Sequence, residues 1–168
     1  MRVKIFLLLG ILAAGCAAAP QPLYNAKASG AGSASFARSV VDRQAVSFHE
    51  GLKGMILFSS GRQADMSFKG CLKYAVKTGM APDDWGAKYN EKSPFTRGML
   101  AFMVVKVLGI RGGLVMQVTG PSRRYALREC QKLGLIEKGS PTSSVSGREF
   151  LSVLRKAEEY VKNQAGRG

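Results

Sequence analysis

A helix-start pattern recurs three times at nearly equal intervals, and it constrains the fold more than any other feature of the chain. An apolar residue, then Ser or Thr, opens an apolar helical stretch at VSFHEGLKGMIL (46–57), FTRGMLAFMVVK (95–106) and VSGREFLSVL (145–154). The hydroxyl residues Ser47, Thr96 and Ser146 are spaced by 49 and 50 residues. Each hydroxyl can accept the amide of the third helical residue, which predicts a helix N-cap. Self-similarity at this period predicts a fold of repeated units.

Two of the three starts add a Glu three residues after the hydroxyl, at Glu50 and Glu149. This spacing predicts a capping box, in which the Glu carboxylate accepts the backbone amide of the capping residue in return. The remaining start has Met99 at that position and keeps only the hydroxyl half.

A second type of helix is predicted between these starts. KGCLKYAVKTG (69–79) and PSRRYALRECQKLG (121–134) have apolar residues at helical spacing, and both reach a Gly, Gly79 and Gly134, that predicts a left-handed helix stop. Each is followed by a polar loop and then by a capped helix. LVMQVTG (114–120) fits a short helix or one short strand, and a helix is favoured. The sequence therefore predicts an all-α fold, a small bundle of two helix–loop–helix units preceded by one lone capped helix.

This arrangement resembles the S-layer homology repeat over roughly residues 45–160. Phe95-Thr96-Arg97-Gly98 is similar to the opening Thr-Arg-Ala-Glu of that family's second helix, and Tyr74 to Met80 is similar to the end of its first helix. The resemblance implies three units in a pseudo-threefold bundle that binds a wall polysaccharide. It also implies that Arg97 contacts the glycan. The third opening, 146–149, has the Glu of the motif but not its Arg.

The N-terminus predicts export. MRVKIFLLLGILAAGC has a short basic region, an apolar run and small residues before Cys16, as in a secretory signal too short to span a bilayer. Leu12 to Cys16 resembles a bacterial lipobox, which implies a lipoprotein signal peptide at 1–15 and a lipidated (palmitate-type) Cys16. The alternative is an ordinary signal peptide cut after Ala19. By the same resemblance, Ala17 after the Cys favours the outer membrane, with the domain facing the periplasm or the cell surface.

The remainder divides into three segments. Residues 16–36 are rich in Ala, Gly, Ser and Pro and are expected to form a flexible tether. Residues 37–163 are expected to form the helical repeat domain, and residues 164–168 a disordered tail.

The charge of the chain narrows the class of partner. The formal net charge is +14, from 25 Lys+Arg and 11 Asp+Glu, and removing residues 1–15 takes away only Arg2 and Lys4. For an exported protein we expect an anionic envelope polymer or an envelope protein as the partner, and no nucleic acid.

Residues able to carry out chemistry are few. His49 is the single histidine, and it is expected to be exposed near a helix start, without a nucleophile motif. No metal-ligand spacing, phosphate loop or dinucleotide motif is present, so we expect no enzyme activity, no metal and no cofactor. Cys71 and Cys130 lie on apolar helix faces, and either a disulfide or two buried free thiols fit that placement.

The long loop 81–94 holds the candidate ligand contacts. Its aromatic side chains can stack on a sugar and its cations can pair with anions, or the aromatic residues can simply anchor the loop. The candidate glycan contacts are Trp85, Lys88, Tyr89, Lys92 and Arg97. The function predicted is a membrane-anchored, non-enzymatic envelope lipoprotein that binds wall polysaccharide or peptidoglycan. The alternative is a structural or assembly module that binds another envelope protein.

Overall fold

The computed structural model describes residues 23–24, 32–61 and 66–166. Within these ranges the chain forms eight helices: α1 (Gly32–Val40), α2 (Phe48–Ser60), α3 (Phe68–Lys77), α4 (Trp85–Lys88), α5 (Arg97–Leu108), α6 (Leu114–Thr119), α7 (Arg123–Lys132) and α8 (Gly147–Ala165). They are joined by two isolated β-bridges, Ser47 with Pro94 and Thr96 with Ser144. The predicted all-α fold is confirmed, and LVMQVTG contributes the helix α6. The predicted signal peptide and Cys16 lie outside the described residues.

The segment boundaries differ from the prediction at both ends. Helix α1 begins inside the segment expected to be a tether, and Phe36 packs edge-on against Phe150 at 6.2 Å between ring centroids. Leu23 and Tyr24 also lie against the domain. At the other end, α8 continues to Ala165, two residues beyond the predicted boundary. Composition alone underestimated the length of chain that belongs to the domain. A segment rich in Ala and Ser can also form a helix when one of its faces packs against the protein.

The predicted helix starts and stops are confirmed. The hydroxyls of Ser47, Thr96 and Ser146 accept the amides of the third helical residues of α2, α5 and α8. After α3 and α7 the chain turns through left-handed conformations at Gly79 and Gly134, with φ of 73° and 71°.

The helices pack around a common centre. Helix α3 packs against α2, α7 packs against α5, and α1 packs against both α2 and α8, while α5 also touches α2 and α8. Each of α1, α3 and α7 thus lies against at least one of the three helices that begin with the recurring start. Helix α1 supplies the partner that the sequence pattern had left out.

A closed ring of backbone hydrogen bonds joins the three helix starts. The amide of Val46 donates to the carbonyl of Val145, Val145 donates to Phe95, and Phe95 donates to Val46, with N···O distances of 2.8, 2.9 and 2.8 Å. All three residues are fully buried. A second set of three backbone hydrogen bonds lies beside this ring. In it, the first amides of α2, α5 and α8 donate to the carbonyls of Ser93, Ser143 and Arg43. The three units are therefore related by an approximate threefold arrangement.

The core fills the space below this ring. Helix α5 is buried on nearly every side, as its uniformly apolar sequence predicts. The Phe95 ring stacks near Phe48 and meets Phe150 edge-on, at centroid distances of 6.3 and 6.0 Å. A Cβ atom at Gly51 would lie 2.5 Å from the Phe95 ring, so the missing side chain is what lets this ring approach α2.

Candidate ligand-binding surface

Trp85 is not available to stack on a sugar. Its side chain is 3% exposed, and its ring lies 5.9 Å from that of Phe48 and 5.6 Å from that of Phe102. The one-turn helix α4 turns this side chain inward. The prediction of a glycan contact at Trp85 is wrong, and the alternative of a loop anchor is confirmed. An indole gains most free energy where it is removed from water, and the gap between α2 and α5 offers that burial.

Tyr89 lies at the edge of the same aromatic cluster but reaches the surface. Its ring meets Phe48 at 5.7 Å between centroids, and its hydroxyl oxygen accepts a hydrogen bond from Arg123 Nη1. The Arg123 guanidinium carbon also lies 5.7 Å from the centre of the Tyr89 ring. A cation so placed interacts favourably with the ring electrons. The structure thus brings together a half-buried aromatic ring and an exposed arginine.

Arg123 was not among the predicted contacts. The doublet Arg123-Arg124 is visible in the sequence. Its position beside the loop 81–94 depends on the start of α7 lying against Gly98, where a Cβ atom would be 3.1 Å from the Cβ of Arg123.

The two candidate lysines are exposed. Lys88 pairs with Asp84 one helical turn earlier, and the Lys88 side chain is 60% exposed. Lys92 is exposed in the turn that follows α4. We define the Tyr89–Arg123 surface as Tyr89 and Arg123, which are in contact, together with the exposed cations Lys92 and Arg124, which lie within three residues of them along the chain.

Arg97 is engaged within the protein. Its Nε donates to Glu149 Oε1 at 2.6 Å and its Nη2 donates to Glu149 Oε2 at 3.1 Å. The two side chains are 22% and 18% exposed. The hydrogen bond to Glu149 raises the pKa of Arg97, which keeps the guanidinium charged. A Cβ atom at Gly139 would lie 1.9 Å from Arg97 Nη1, so this glycine makes room for the guanidinium. The guanidinium therefore serves the fold, which argues against the contact that the resemblance implied.

This ion pair also alters one predicted cap. At α2 the capping box is complete, because the Ser47 amide donates to Glu50 Oε2 at 2.9 Å and Arg43 pairs with the other carboxylate oxygen. At α8 the Ser146 hydroxyl caps the helix, but both Glu149 oxygens are bound by Arg97. The prediction of a full capping box at α8 is wrong, because a charged donor is a stronger partner for a carboxylate than a backbone amide.

His49 and the cysteines are structural. His49 is half-buried rather than exposed, its Nε2 lies 3.2 Å from the carbonyl of Met66, and its ring meets Phe68 edge-on. Cys71 and Cys130 are buried and unpaired, so the alternative of two free thiols is confirmed over the disulfide. They lie on α3 and α7, which pack against different helices. Burial raises the pKa of both thiols, to about 12 for Cys130.

Among the described residues, no three or more His, Cys, Asp or Glu side chains converge into a group that could hold a metal ion. Among the described helices, none combines the length and the hydrophobicity that a membrane span requires. No family model matches the chain, and no curated protein or solved structure matches it.

Proposed function

We propose that the chain is a non-enzymatic lipoprotein of the cell envelope, anchored through acyl chains on Cys16, whose helical domain binds an anionic envelope polymer through the Tyr89–Arg123 surface. The anchor is supported by the basic region, the apolar run and the lipobox-like Leu12 to Cys16. Two or more acyl chains would make the attachment stable, whereas one alone binds weakly. The residue after the Cys favours the outer membrane.

The observation that carries the binding proposal is the contact of Arg123 with Tyr89. The aromatic ring can stack on the face of a sugar, and the guanidinium beside it can bind an anionic group of the same polymer. Lys92 and Arg124 are exposed nearby in the sequence and add positive charge. The loop 81–94 also carries three acidic residues, Asp83, Asp84 and Glu91. Asp84 pairs with Lys88, and the backbone carbonyl of Glu91 accepts the His49 amide.

The proposal moves the binding role away from the residues that the family resemblance implied. Trp85 is in the core and Arg97 is paired with Glu149. A polymer clamp in this protein would therefore use the start of α7, which lies beside the loop 81–94.

Anchoring is tested by expressing the full chain in a bacterium that processes lipoproteins and by measuring acyl groups on the purified chain by mass spectrometry. Cys16→Ser is the matched control. Acylation of the parent chain and its loss in Cys16→Ser support the anchor. A parent chain cut elsewhere and free of acyl groups would exclude it.

Binding is tested with the same detergent-purified chain and purified wall sacculi or wall polysaccharide, at low and at physiological salt. We expect Arg123→Gln to weaken binding by about tenfold, as the loss of one charge-assisted hydrogen bond does. The matched control is Arg155→Gln, since Arg155 lies on α8 and pairs with Glu159. Equal binding by both variants would exclude this surface. Chemical crosslinking of the parent chain to one envelope protein would instead favour the assembly module.

A further inference from the structure

An exposed apolar face on α6 stands apart from the rest of the described surface. Leu114, Val115 and Val118 are 80%, 51% and 86% exposed. At 100° per residue these three positions cover one continuous side of the helix. Met116, on the opposite side, is 5% exposed and holds the helix against the domain. The three large apolar side chains form one patch on α6 rather than scattered exposure, and such patches mark contact sites in many proteins.

The position of the N-terminal segment indicates what this face meets. The Leu23 amide donates to the carbonyl of Val107 at 2.8 Å, in the last turn of α5, and the Tyr24 ring packs against Phe58 at 4.9 Å. Leu23 is the seventh residue after Cys16, which limits the distance between their Cα atoms to about 25 Å. An acylated Cys16 would therefore keep Leu23, at the C-terminal end of α5, within about 25 Å of the bilayer.

Helix α6 is attached to that same end of α5. Only residues 109–113 connect the two helices, and a Cβ atom at Gly112 would lie 2.3 Å from Met116, so the connection is folded tightly against α6. The opposite end of α5 carries the hydrogen bonds from Arg97 and Gly98 to the loop 137–143. That end is about 18 Å away along the helix axis.

The charge around α6 has the sign that an anionic membrane surface attracts. No Asp or Glu occurs between Glu91 and Glu129, while Arg111 precedes α6 and Arg128 lies beside Glu129, close to the connection to α6. Both arginines are exposed. Glu129 lies against the connection to α6, 3.5 Å from a Cβ at Gly113, and pairs with Lys132. Basic residues beside a membrane surface each strengthen attachment to anionic lipids.

We infer that Leu114, Val115 and Val118 insert into the interface of the membrane that Cys16 anchors, so that α6 is a second, non-covalent membrane contact that fixes the orientation of the domain. This inference rests on the proposed lipid anchor. A short helix with an apolar face and flanking arginines binds in the interfacial plane without spanning the bilayer. The contact would orient the domain with the loop 137–143 away from the lipid.

The test places a polarity-sensitive fluorophore on Val118→Cys in the full, lipidated chain, reconstituted in vesicles of anionic and zwitterionic lipid that carry nitroxide quenchers. The matched control is Thr142→Cys, which is exposed at the other end of α5. Cys71 and Cys130 are buried with raised pKa values, so the label is directed to the introduced thiol. We expect strong quenching at Val118 and little at Thr142.

A second variant measures the apolar contribution. Leu114→Ser in the Val118→Cys chain should shift the ratio of membrane-contacting to detached domains by about tenfold, because burial of one Leu side chain is worth at least that factor. Equal quenching at Val118 and Thr142 in acylated protein would overturn the inference and leave the anchor intact. A chain without acyl groups on Cys16 would overturn the proposed anchor and the inference together.

A last control addresses the other possible occupants of the face. In the Cys16→Ser chain without lipid, the Val118 probe should be open to iodide, a water-soluble quencher. A probe shielded from iodide at every protein concentration would mean that the chain itself covers the face. Shielding that grows with concentration would mean that a second copy does, and either result would overturn membrane contact.

Discussion

Arg97 and Glu149 form a two-bonded ion pair that links the starts of α5 and α8 across 52 residues of sequence. Each was predicted to do something else, Arg97 to contact a ligand and Glu149 to cap its own helix. Because the pair is mostly buried, its charges are screened less by water than those of a surface pair. The pair therefore joins two of the three helix starts directly.

Replacing Arg97 by Gln should destabilise the domain by about 1 to 3 kcal/mol, since it leaves the Glu149 carboxylate largely buried without its charged donor. Urea unfolding of the parent chain, Arg97→Gln, Glu149→Gln and the double variant completes a double-mutant cycle, in which we expect a favourable coupling energy. Arg155→Gln, which breaks the exposed pair with Glu159, should change stability little. A zero coupling energy would show that the pair adds nothing to the link between units.

Gly147→Ala should be among the most destabilising single substitutions in the chain. A Cβ atom there would lie 1.6 Å from the backbone carbonyl oxygen of Val40, so α1 and α8 would have to separate. We expect a loss of about 3 kcal/mol or more, as for other backbone clashes in a packed core. The thermal unfolding midpoint measures it.

Gly113→Ala is the matched control, because Gly113 has a φ of −73° and its Cβ would make only an ordinary contact of 3.5 Å with Glu129 Oε1. That variant should unfold at nearly the parental temperature. A parental unfolding temperature for Gly147→Ala would mean that α1 does not lie against α8 as described.

Trp85 is the single tryptophan, so its fluorescence reports its own surroundings. Because the ring is buried between Phe48 and Phe102, the native emission should be blue-shifted and should move to the red on unfolding. Addition of the envelope polymer should leave it unchanged. Trp85→Ala should cost about 3 to 5 kcal/mol of stability. If the polymer quenched the Trp85 fluorescence of the folded protein, Trp85 would again be a candidate contact residue.

The buried thiol of Cys130 predicts a stability loss in alkali. Burial, and to a lesser extent the charge of Glu129, raises the pKa of this thiol from its ordinary value of 9.0 to about 12 in the folded protein. Since the unfolded thiol gives up its proton first, this contribution is complete below pH 9 and is lost as the pH rises towards 12. The decline is at most about 1.4 kcal/mol per pH unit.

The comparison that isolates this effect is the parent chain against Cys130→Ala, unfolded in urea at pH 8, 9 and 10. Other groups also titrate in this range, including Tyr24, whose pKa is raised mainly by burial and also by Glu158. They are common to both chains, so the difference between the two slopes belongs to Cys130. Identical slopes would mean that the thiol is not buried in the folded protein.

Several features of the fold could be predicted from local chemistry. Ser47, Thr96 and Ser146 were recognisable as caps because the hydroxyl acts on an amide only three residues away. Gly79 and Gly134 were recognisable as helix stops because only glycine enters the left-handed region at little cost. The uniform apolarity of α5 likewise predicted its place in the centre.

The roles of the candidate site residues could not be predicted in this way. The sequence around Trp85 fits a residue that stacks on a ligand and a core residue equally well. The packing of its ring between Phe48 of α2 and Phe102 of α5 places it in the core. The contact of Arg123 with Tyr89 appears only when the start of α7 is brought to that ring, because Tyr89 lies 34 residues earlier in the chain.

The sequence by itself determined where helices begin and end, because capping and helix-stop interactions act over a few residues. The tertiary structure alone decided which partners the charged and aromatic side chains take. The ring through Val46, Phe95 and Val145 brings three distant helix starts together. Once Arg97 and Glu149 meet beside it, their mutual hydrogen bonds outweigh the local bonds that each would otherwise make. Long-range proximity of this kind depends on how whole helices pack, and no short stretch of sequence encodes it.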